Sequence, residues 1–203
     1  DESTNRVRIG VTELSAVARV TQAAVRLGVP ATALDVVATE PIVAMATLRD
    51  AHRPTMGGLQ INFPGYLCTL GFNATDGGQA SFITNSHCTA NQGGVDNTPY
   101  WQPLQSSHPP QLATEVEDPP FLSGGSCPAG RRCRQSDASR ARYDDLTGFQ
   151  LGRLARTGNA KNGSLTIVGQ WTITSADDVT QSFPIGTTIN KVGRTTGWSA
   201  GKV

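Results

Sequence analysis

The sequence lacks a strong charge bias, a long apolar run and a recognisable leader. Its 203 residues carry 17 basic and 16 acidic side chains, so the net charge is only +1. Such a chain has no overall field to attract nucleic acid or an anionic membrane surface. No segment approaches the roughly 18 consecutive apolar residues that cross a bilayer, and the opening DESTNR is not the basic start of a signal peptide. We therefore expect neither nucleic acid nor a membrane as a partner.

Familiar metal-binding patterns are also missing. There is no HExxH segment and no double CxxC pattern, and the three histidines, His52, His87 and His108, are widely separated. A zinc site needs three or four ligands at suitable spacing. We therefore expect no metal and no cofactor.

Four cysteines, Cys68, Cys88, Cys127 and Cys133, form an even set. Without a zinc pattern, two disulfides are the better interpretation. Disulfides persist in oxidising compartments. The sequence therefore predicts a secreted or periplasmic protein whose signal peptide has already been removed.

The first 54 residues predict a small α+β module. Alternating apolar residues indicate a strand over 7–11, and Thr12 is the expected N-cap of a helix that the Gly-Val-Pro segment ends. A second strand is predicted from Leu34 to Ala38. The segment from Ile42 to Leu48 is either another strand or a short helix.

The remaining chain predicts a mainly β protein, because helical periodicity disappears and 22 glycines and 12 prolines supply many turns. The segment from Ser106 to Arg134 is expected to be a long loop, clamped by a Cys127–Cys133 bridge. Strand-like runs lie at Leu59 to Phe63, Leu67 to Phe72, Ala80 to Thr84, Phe149 to Leu154, Leu165 to Thr174 and Thr187 to Val192.

His87 differs from the other two histidines, which we interpret as structural or solvent-exposed. It follows a predicted strand and directly precedes Cys88, with Cys68 one strand earlier. A Cys68–Cys88 bridge would hold the loop that presents the imidazole. A general base needs rigid support of this kind.

Several motifs together resemble the chymotrypsin/trypsin-like serine protease family, of the bacterial secreted type. The segments Cys68 to Phe72 and Phe82 to Cys88 are similar to that family's strand, disulfide and His-Cys block. Cys133 to Ser139 resembles its aspartate motif, and Lys191 to Trp198 resembles the opening strand of its second barrel. The resemblance covers residues from about Gly57 to Val203.

The resemblance implies a Ser-His-Asp peptidase in which His87 is the general base and Asp137 orients it. Asp144 and Asp145 are competing carboxylates, and Asp118 is expected to be a loop residue. The family's Gly-Asp-Ser-Gly segment, which carries the nucleophile, does not occur in this sequence. The serines in Gly-Gly-Ser126 and Gly-Ser164 are better interpreted as turn residues.

The implied fold is mainly β, a chymotrypsin-like antiparallel β-barrel with an incomplete second barrel, preceded by the α+β module. We expect a pro-region or accessory module over 1–54, the first barrel over 55–160, and the first strands of a second barrel over 161–203. The family's bacterial members favour a pro-region. Retention of the module on this chain favours an accessory domain instead.

The resemblance also implies a protein or peptide substrate and a complementary C-terminal polypeptide that supplies the serine. On this hypothesis the chain is inactive alone. The alternative is a non-catalytic, protease-like binding or regulatory scaffold. The charge pair of His87 and Asp137 favours the enzyme, and the missing serine favours the scaffold.

A basic stretch ends the predicted loop, beside Asp144 and Asp145. An exosite, a nucleic-acid patch or a processing site are alternatives, but the acidic neighbours favour a solvated surface. Its members are Arg131, Arg132, Arg134, Arg140 and Arg142.

Overall fold

The computed structural model describes residues 5–39, 46–144, 148–175 and 183–203. It divides the chain into two compact units, Asp1–Ala44 and Met45–Val203. The predicted division into 1–54, 55–160 and 161–203 stays a prediction. None of the described helices is long and apolar enough to cross a membrane.

The first unit is a βαβ arrangement. Strand β1 (Val7–Val11) pairs in parallel with β2 (Leu34–Ala38), and helix α1 (Leu14–Arg26) connects them. The predicted α+β module is therefore built from parallel strands, because the helix returns the chain to the same end of the sheet. Both strands match their predicted bounds.

The sequence predicted the C-terminal end of α1 better than its N-terminal end. The N-cap is Glu13 rather than Thr12, and it makes no side-chain capping bond. At the other end Gly28 has φ +87° and donates its N–H to Val25 O, while Val29 N–H bonds to Ala24 O. These two bonds form a Schellman motif, which favours glycine at the left-handed position.

The second unit consists of strands, short 3₁₀ turns and loops. Its described strands are β3 (Thr55–Gly57), β4 (Gln60–Phe63), β5 (Tyr66–Thr69), β6 (Phe72–Asp76), β7 (Gln79–Thr84), β8 (Pro99–Tyr100), β9 (Ala113–Glu117), β10 (Ser139–Tyr143), β11 (Phe149–Thr157), β12 (Ile167–Thr172), β13 (Thr188–Gly193) and β14 (Gly197–Lys202).

Strands β4 to β10 form a closed antiparallel barrel. Hydrogen bonding runs through β6, β7, β10, β9 and β8 in that order, and β5 pairs with β4. Segments β5 and β6 are one bent strand that changes partner at Leu70 and Gly71, whose N–H groups bond to Leu59 O and Ile83 O. Asn62 and Trp101 exchange two backbone bonds of 2.9 and 2.8 Å, which join β4 to the chain just after β8 and close the ring.

Glycine is required at the bend. A Cβ atom on Gly71 would lie 2.8 Å from Ile83 O, so a side chain there would push the partner strand away. The single strand predicted from Leu67 to Phe72 is therefore wrong at its centre. Alternation of apolar and polar residues in a sequence does not reveal that a strand pairs with one neighbouring strand in its first half and with another in its second half.

The barrel interior holds an apolar core in which aromatic rings meet edge to face. The ring of Phe82 makes edge contacts with those of Tyr100 and Tyr143, at centroid distances of 5.3 and 5.6 Å. The buried core residues are Ile61, Phe63, Leu70, Ala80, Phe82, Cys88, Tyr100, Leu112, Ala113, Ala141 and Tyr143.

The strands outside the barrel form two smaller sheets, β12-β11-β3 and the hairpin β13-β14. A second buried apolar cluster consists of Leu48, Met56, Leu59 and Ala155, of which Met56 and Ala155 belong to these sheets. Leu48 thus packs with residues of the second unit, although it falls in the predicted N-terminal module. Most of the segment from Ile42 to Leu48 lies outside the described residues.

The antiparallel, mainly β class predicted from the sequence is confirmed. The long loop predicted from Ser106 to Arg134 is wrong in part, because it contains β9. That strand is short and flanked by Pro109-Pro110 and Pro119-Pro120. Because prolines lie on both sides of β9, the sequence pattern did not predict this central strand of the barrel.

Candidate active site

The end of β7 presents His87. A single 3₁₀ turn, Ser86–Cys88, follows the strand, and Cys88 N–H bonds to Asn85 O at 2.9 Å. Cys88 is joined to Cys68 on β5 by a disulfide, and its carbonyl accepts a 2.9 Å bond from the buried hydroxyl of Tyr100. The histidine loop is therefore held by its own turn bond and anchored to the barrel at two points.

The start of β10 presents Asp137. Strands β7 and β10 pair with Ser139 opposite Thr84, so the residues just after one strand meet those just before the other. Asn85 Nδ2 donates to Asp137 O at 3.1 Å, and Ser139 Oγ donates to Asn85 O at 3.2 Å. Antiparallel pairing thus brings His87 and Asp137 together across 50 positions of sequence.

Two hydrogen bonds join the histidine to the carboxylate. His87 Nδ1 lies 2.7 Å from Asp137 Oδ2, and the backbone N–H of His87 donates to Asp137 Oδ1 at 3.1 Å. An ionised carboxylate only accepts, so Nδ1 carries the proton in this contact. The neutral imidazole therefore has its lone pair on Nε2. Because the histidine side chain is 54% exposed, that nitrogen is accessible.

The electrostatic surroundings keep Asp137 ionised. Partial burial would raise the pKa of its carboxyl, but hydrogen bonds from His87 and the charges of His87 and Arg134 outweigh that effect and lower it. Asp137 is thus a persistent anion beside the imidazole.

Arg134 is a neighbour of this pair that the sequence analysis missed. Its Nη2 lies 2.6 Å from Asp137 Oδ1, and its Nη1 donates to the buried hydroxyl of Ser86. The arginine was expected on a solvated basic surface, yet its side chain is only 15% exposed. A spacing of three residues indicates contact on a helix, and no such signal exists for a loop.

Asp144, one of the two competing carboxylates, has other partners. Asp144 accepts hydrogen bonds from Gln111 and Thr114, and Asp145 lies outside the described residues. Asp118 accepts the backbone N–H groups of Gly93 and Gly94 at 2.6 and 3.1 Å, as a loop residue would.

Within the described ranges, no serine hydroxyl is hydrogen-bonded to the His87 side chain. Ser164 precedes β12, and its Oγ accepts the N–H of Thr166 at 3.3 Å. Ser126 lies in an exposed turn immediately before the ring closed by the second predicted disulfide, Cys127–Cys133.

A metal at this position is disfavoured by the chemistry of the side chains. In the described part of the chain, Cys68, His87 and Cys88 place potential ligand atoms within 4.8 Å of one another. Both sulfur atoms belong to the disulfide. They are therefore not thiolates, which are the form that binds metal.

Comparison with known proteins gives matches at the level of structure alone. No protein-family model and no curated protein matches the chain. Among solved structures, protease A of Thermobifida fusca is 23% identical with a TM-score of 0.45, and the match covers 73% of this chain and 58% of that one. A glutamic acid-specific serine protease, described as using a histidine triad in substrate binding, is 26% identical with a TM-score of 0.43, and the match covers 73% and 60%. This chain spans about three fifths of the length of these two proteases.

Proposed function

We propose that this chain carries the general base and the orienting carboxylate of a serine endopeptidase. His87 and Asp137 fill these roles, and a serine outside these 203 residues is the nucleophile. The observation that carries the proposal is the 2.7 Å contact between His87 Nδ1 and Asp137 Oδ2, with Nε2 left accessible.

The reaction follows from the protonation state of the pair. A serine hydroxyl is a poor nucleophile at neutral pH, and Nε2 of His87 would take its proton as the oxygen attacks the substrate carbonyl. The resulting imidazolium is stabilised by the Asp137 carboxylate. His87 then gives the proton to the leaving amine as the C–N bond breaks. Water attacks the acyl-enzyme in a second cycle with the same base.

The rigidity of the histidine loop supports this role. A base must stay within hydrogen-bond reach of the proton it removes. The disulfide to Cys68, the Tyr100 hydroxyl bond and the turn bond of Cys88 all restrict the loop. A binding scaffold without chemistry has no need for an aligned imidazole and carboxylate, whereas a peptidase needs both.

The wider setting belongs to the same proposal. The substrate is a protein or peptide, and the compartment is extracellular or periplasmic, where the two disulfides persist. The serine is supplied by further sequence of the same polypeptide or by a second, complementary polypeptide. The N-terminal unit is a pro-region or an accessory module.

The test is labelling of the complete open reading frame's product with a fluorophosphonate, which reacts with activated serines. We expect one serine, outside residues 1–203, to be labelled. Asp137→Asn keeps the shape but favours the wrong tautomer, and it should lower peptidase kcat by about 10⁴-fold. His108→Gln, a distant histidine variant, is the matched control and should leave labelling unchanged.

The opposite outcome identifies the scaffold. If the complete product is folded but no serine reacts, and peptides are bound without cleavage, the enzymatic proposal is overturned. Labelling that is equally fast in the wild type and in His87→Gln would also overturn it, because the serine would then be activated by some other group.

A further inference from the structure

Arg134 connects the two sides of the candidate site. Its guanidinium contacts the Asp137 carboxylate at 2.6 Å through Nη2 and the Ser86 hydroxyl through Nη1. Ser86 is fully buried and directly precedes His87. One planar group therefore ties the turn that carries the histidine to the loop that carries the aspartate.

The guanidinium is itself held in place. Its Cζ lies 5.1 Å from the centre of the Phe121 ring, and Cys133 is bridged both to Cys127 and, through two backbone bonds, to Leu122. These contacts fix the guanidinium and the chain immediately before the arginine. Arg134 is thus set by its surroundings before the contact to Asp137 is counted.

The four donors on the Asp137 carboxylate divide between its two oxygens. Oδ1 receives the His87 N–H at 3.1 Å and Arg134 Nη2 at 2.6 Å. Oδ2 receives His87 Nδ1 at 2.7 Å and Asn85 Nδ2 at 3.4 Å. Because Arg134 binds Oδ1, the carboxylate is oriented with Oδ2 facing the imidazole.

We propose that Arg134 is a positioning residue of the His87–Asp137 pair, and that its charge sets how strongly the carboxylate supports the imidazolium. Its consequence for catalysis rests on the proposed function, but its effect on the imidazole does not. By drawing on the carboxylate's negative charge, the guanidinium makes Asp137 a weaker partner for the charged imidazole.

Among the described residues, two charged groups are connected to His87 by contacts. Asp137 contacts the histidine directly, and Arg134 is connected to it through Asp137. This short chain makes the experiment simple. The titration of the His87 imidazole can be followed by NMR on the 203-residue chain, with the signal assigned through His87→Gln. No serine is required for this measurement.

Arg134→Gln should move the pH midpoint of the His87 titration upward by about half a unit, a threefold change in basicity, as for a partly exposed ion pair. Arg134→Lys keeps the charge and should restore most of the wild-type midpoint. Arg132→Gln is the matched control: Arg132 also lies over Phe121, at 4.0 Å, and has no recorded bond to Asp137. It should leave the midpoint unchanged.

An unchanged midpoint in Arg134→Gln, in a chain whose NMR spectrum is otherwise native, overturns the inference. So does an equal shift in Arg132→Gln, because the effect would then be one of general surface charge. In the complete enzyme, the lower pH limb of kcat/KM should move by the same amount. If the titration moves but no peptidase activity exists, the positioning role stands and the proposed function fails.

Discussion

The interior of the closed barrel and the strands that follow it differ in how completely they bury their apolar side chains. In the barrel, Phe82, Tyr100 and Ile61 are fully buried. On β11 to β13, by contrast, Val168 is 53% exposed and Ile189 is 50% exposed. A sheet that closes on itself hides its edges and one whole face, whereas an open sheet leaves both to other partners. Both members of the candidate pair are carried by the closed region.

This difference places the rigid framework where a catalytic base would need it. His87 and Asp137 stand at adjoining ends of two barrel strands, β7 and β10. The β11–β14 region contributes none of the recorded hydrogen bonds of these two side chains within the described residues. The local geometry of the pair should therefore depend on the barrel's stability and hardly at all on that of β11–β14.

The contrast in burial between the two regions can be tested at the centre of the barrel. Phe82→Ala removes a fully buried ring that contacts Tyr100 and Tyr143. We expect the free energy of unfolding to fall by about 3–5 kcal/mol. Val168→Ala, on the exposed face of β12, should change it by less than about 0.5 kcal/mol. Urea unfolding of the two variants measures both values, and similar losses would contradict the contrast between the regions.

The two disulfides allow a more specific test of the contrast between the regions. Replacing Cys68 and Cys88 by alanine opens a loop closed across a separation of 20 and should cost about 3 kcal/mol, whereas Cys127 and Cys133 close a separation of only 6 and should cost about 2 kcal/mol. The first change should also loosen the His87 loop.

Fluorine labels on the three tryptophans can report the regions separately. Trp101 follows β8 of the barrel, while Trp171 and Trp198 contact each other on β12 and β14, with ring centres 5.0 Å apart. In the variant in which alanine replaces Cys68 and Cys88, we expect the native Trp101 signal to be lost at a lower denaturant concentration than the native Trp171 and Trp198 signals. Loss of the Trp171 and Trp198 signals first would contradict a barrel-specific effect.

A further test of the barrel concerns pH. Glu115 on β9 is fully buried, and desolvation is the main reason that its pKa rises to about 7. A buried carboxyl with a raised pKa holds its proton in the folded state while the unfolded chain has lost it. Stability should therefore fall as pH rises from about 4.5 to about 7, by a contribution on the order of 3 kcal/mol.

Glu115→Gln should remove that slope, because the amide keeps the shape without titrating. Glu117→Gln is the matched control, since Glu117 is an exposed residue of the same strand paired with Arg140. Thermal unfolding of the three proteins between pH 4.5 and 7.5 provides the measurement. An unchanged slope in Glu115→Gln would assign the pH dependence to other groups.

Much of the fold could be predicted from local pattern. Alternation over 7–11 and strand-like runs elsewhere predicted β1, β2, β4 and β7 within one residue of their observed bounds. The short strands β8 and β9 could not be found, because two and five residues among prolines resemble a loop. Their place in the barrel is decided by bonds to neighbours far away in sequence.

The sequence by itself predicted that a histidine beside a half-cystine follows a strand, since that pattern is written in adjacent residues, and the motif resemblance singled out Asp137. Only the tertiary structure decided that β7 and β10 pair, that the ring closes through Asn62 and Trp101, and that Arg134 occupies one oxygen of Asp137. The physical reason is range. Periodicity and motif spacing report how a segment meets its immediate surroundings, whereas a carboxylate's partners depend on the direction of side chains from separate segments.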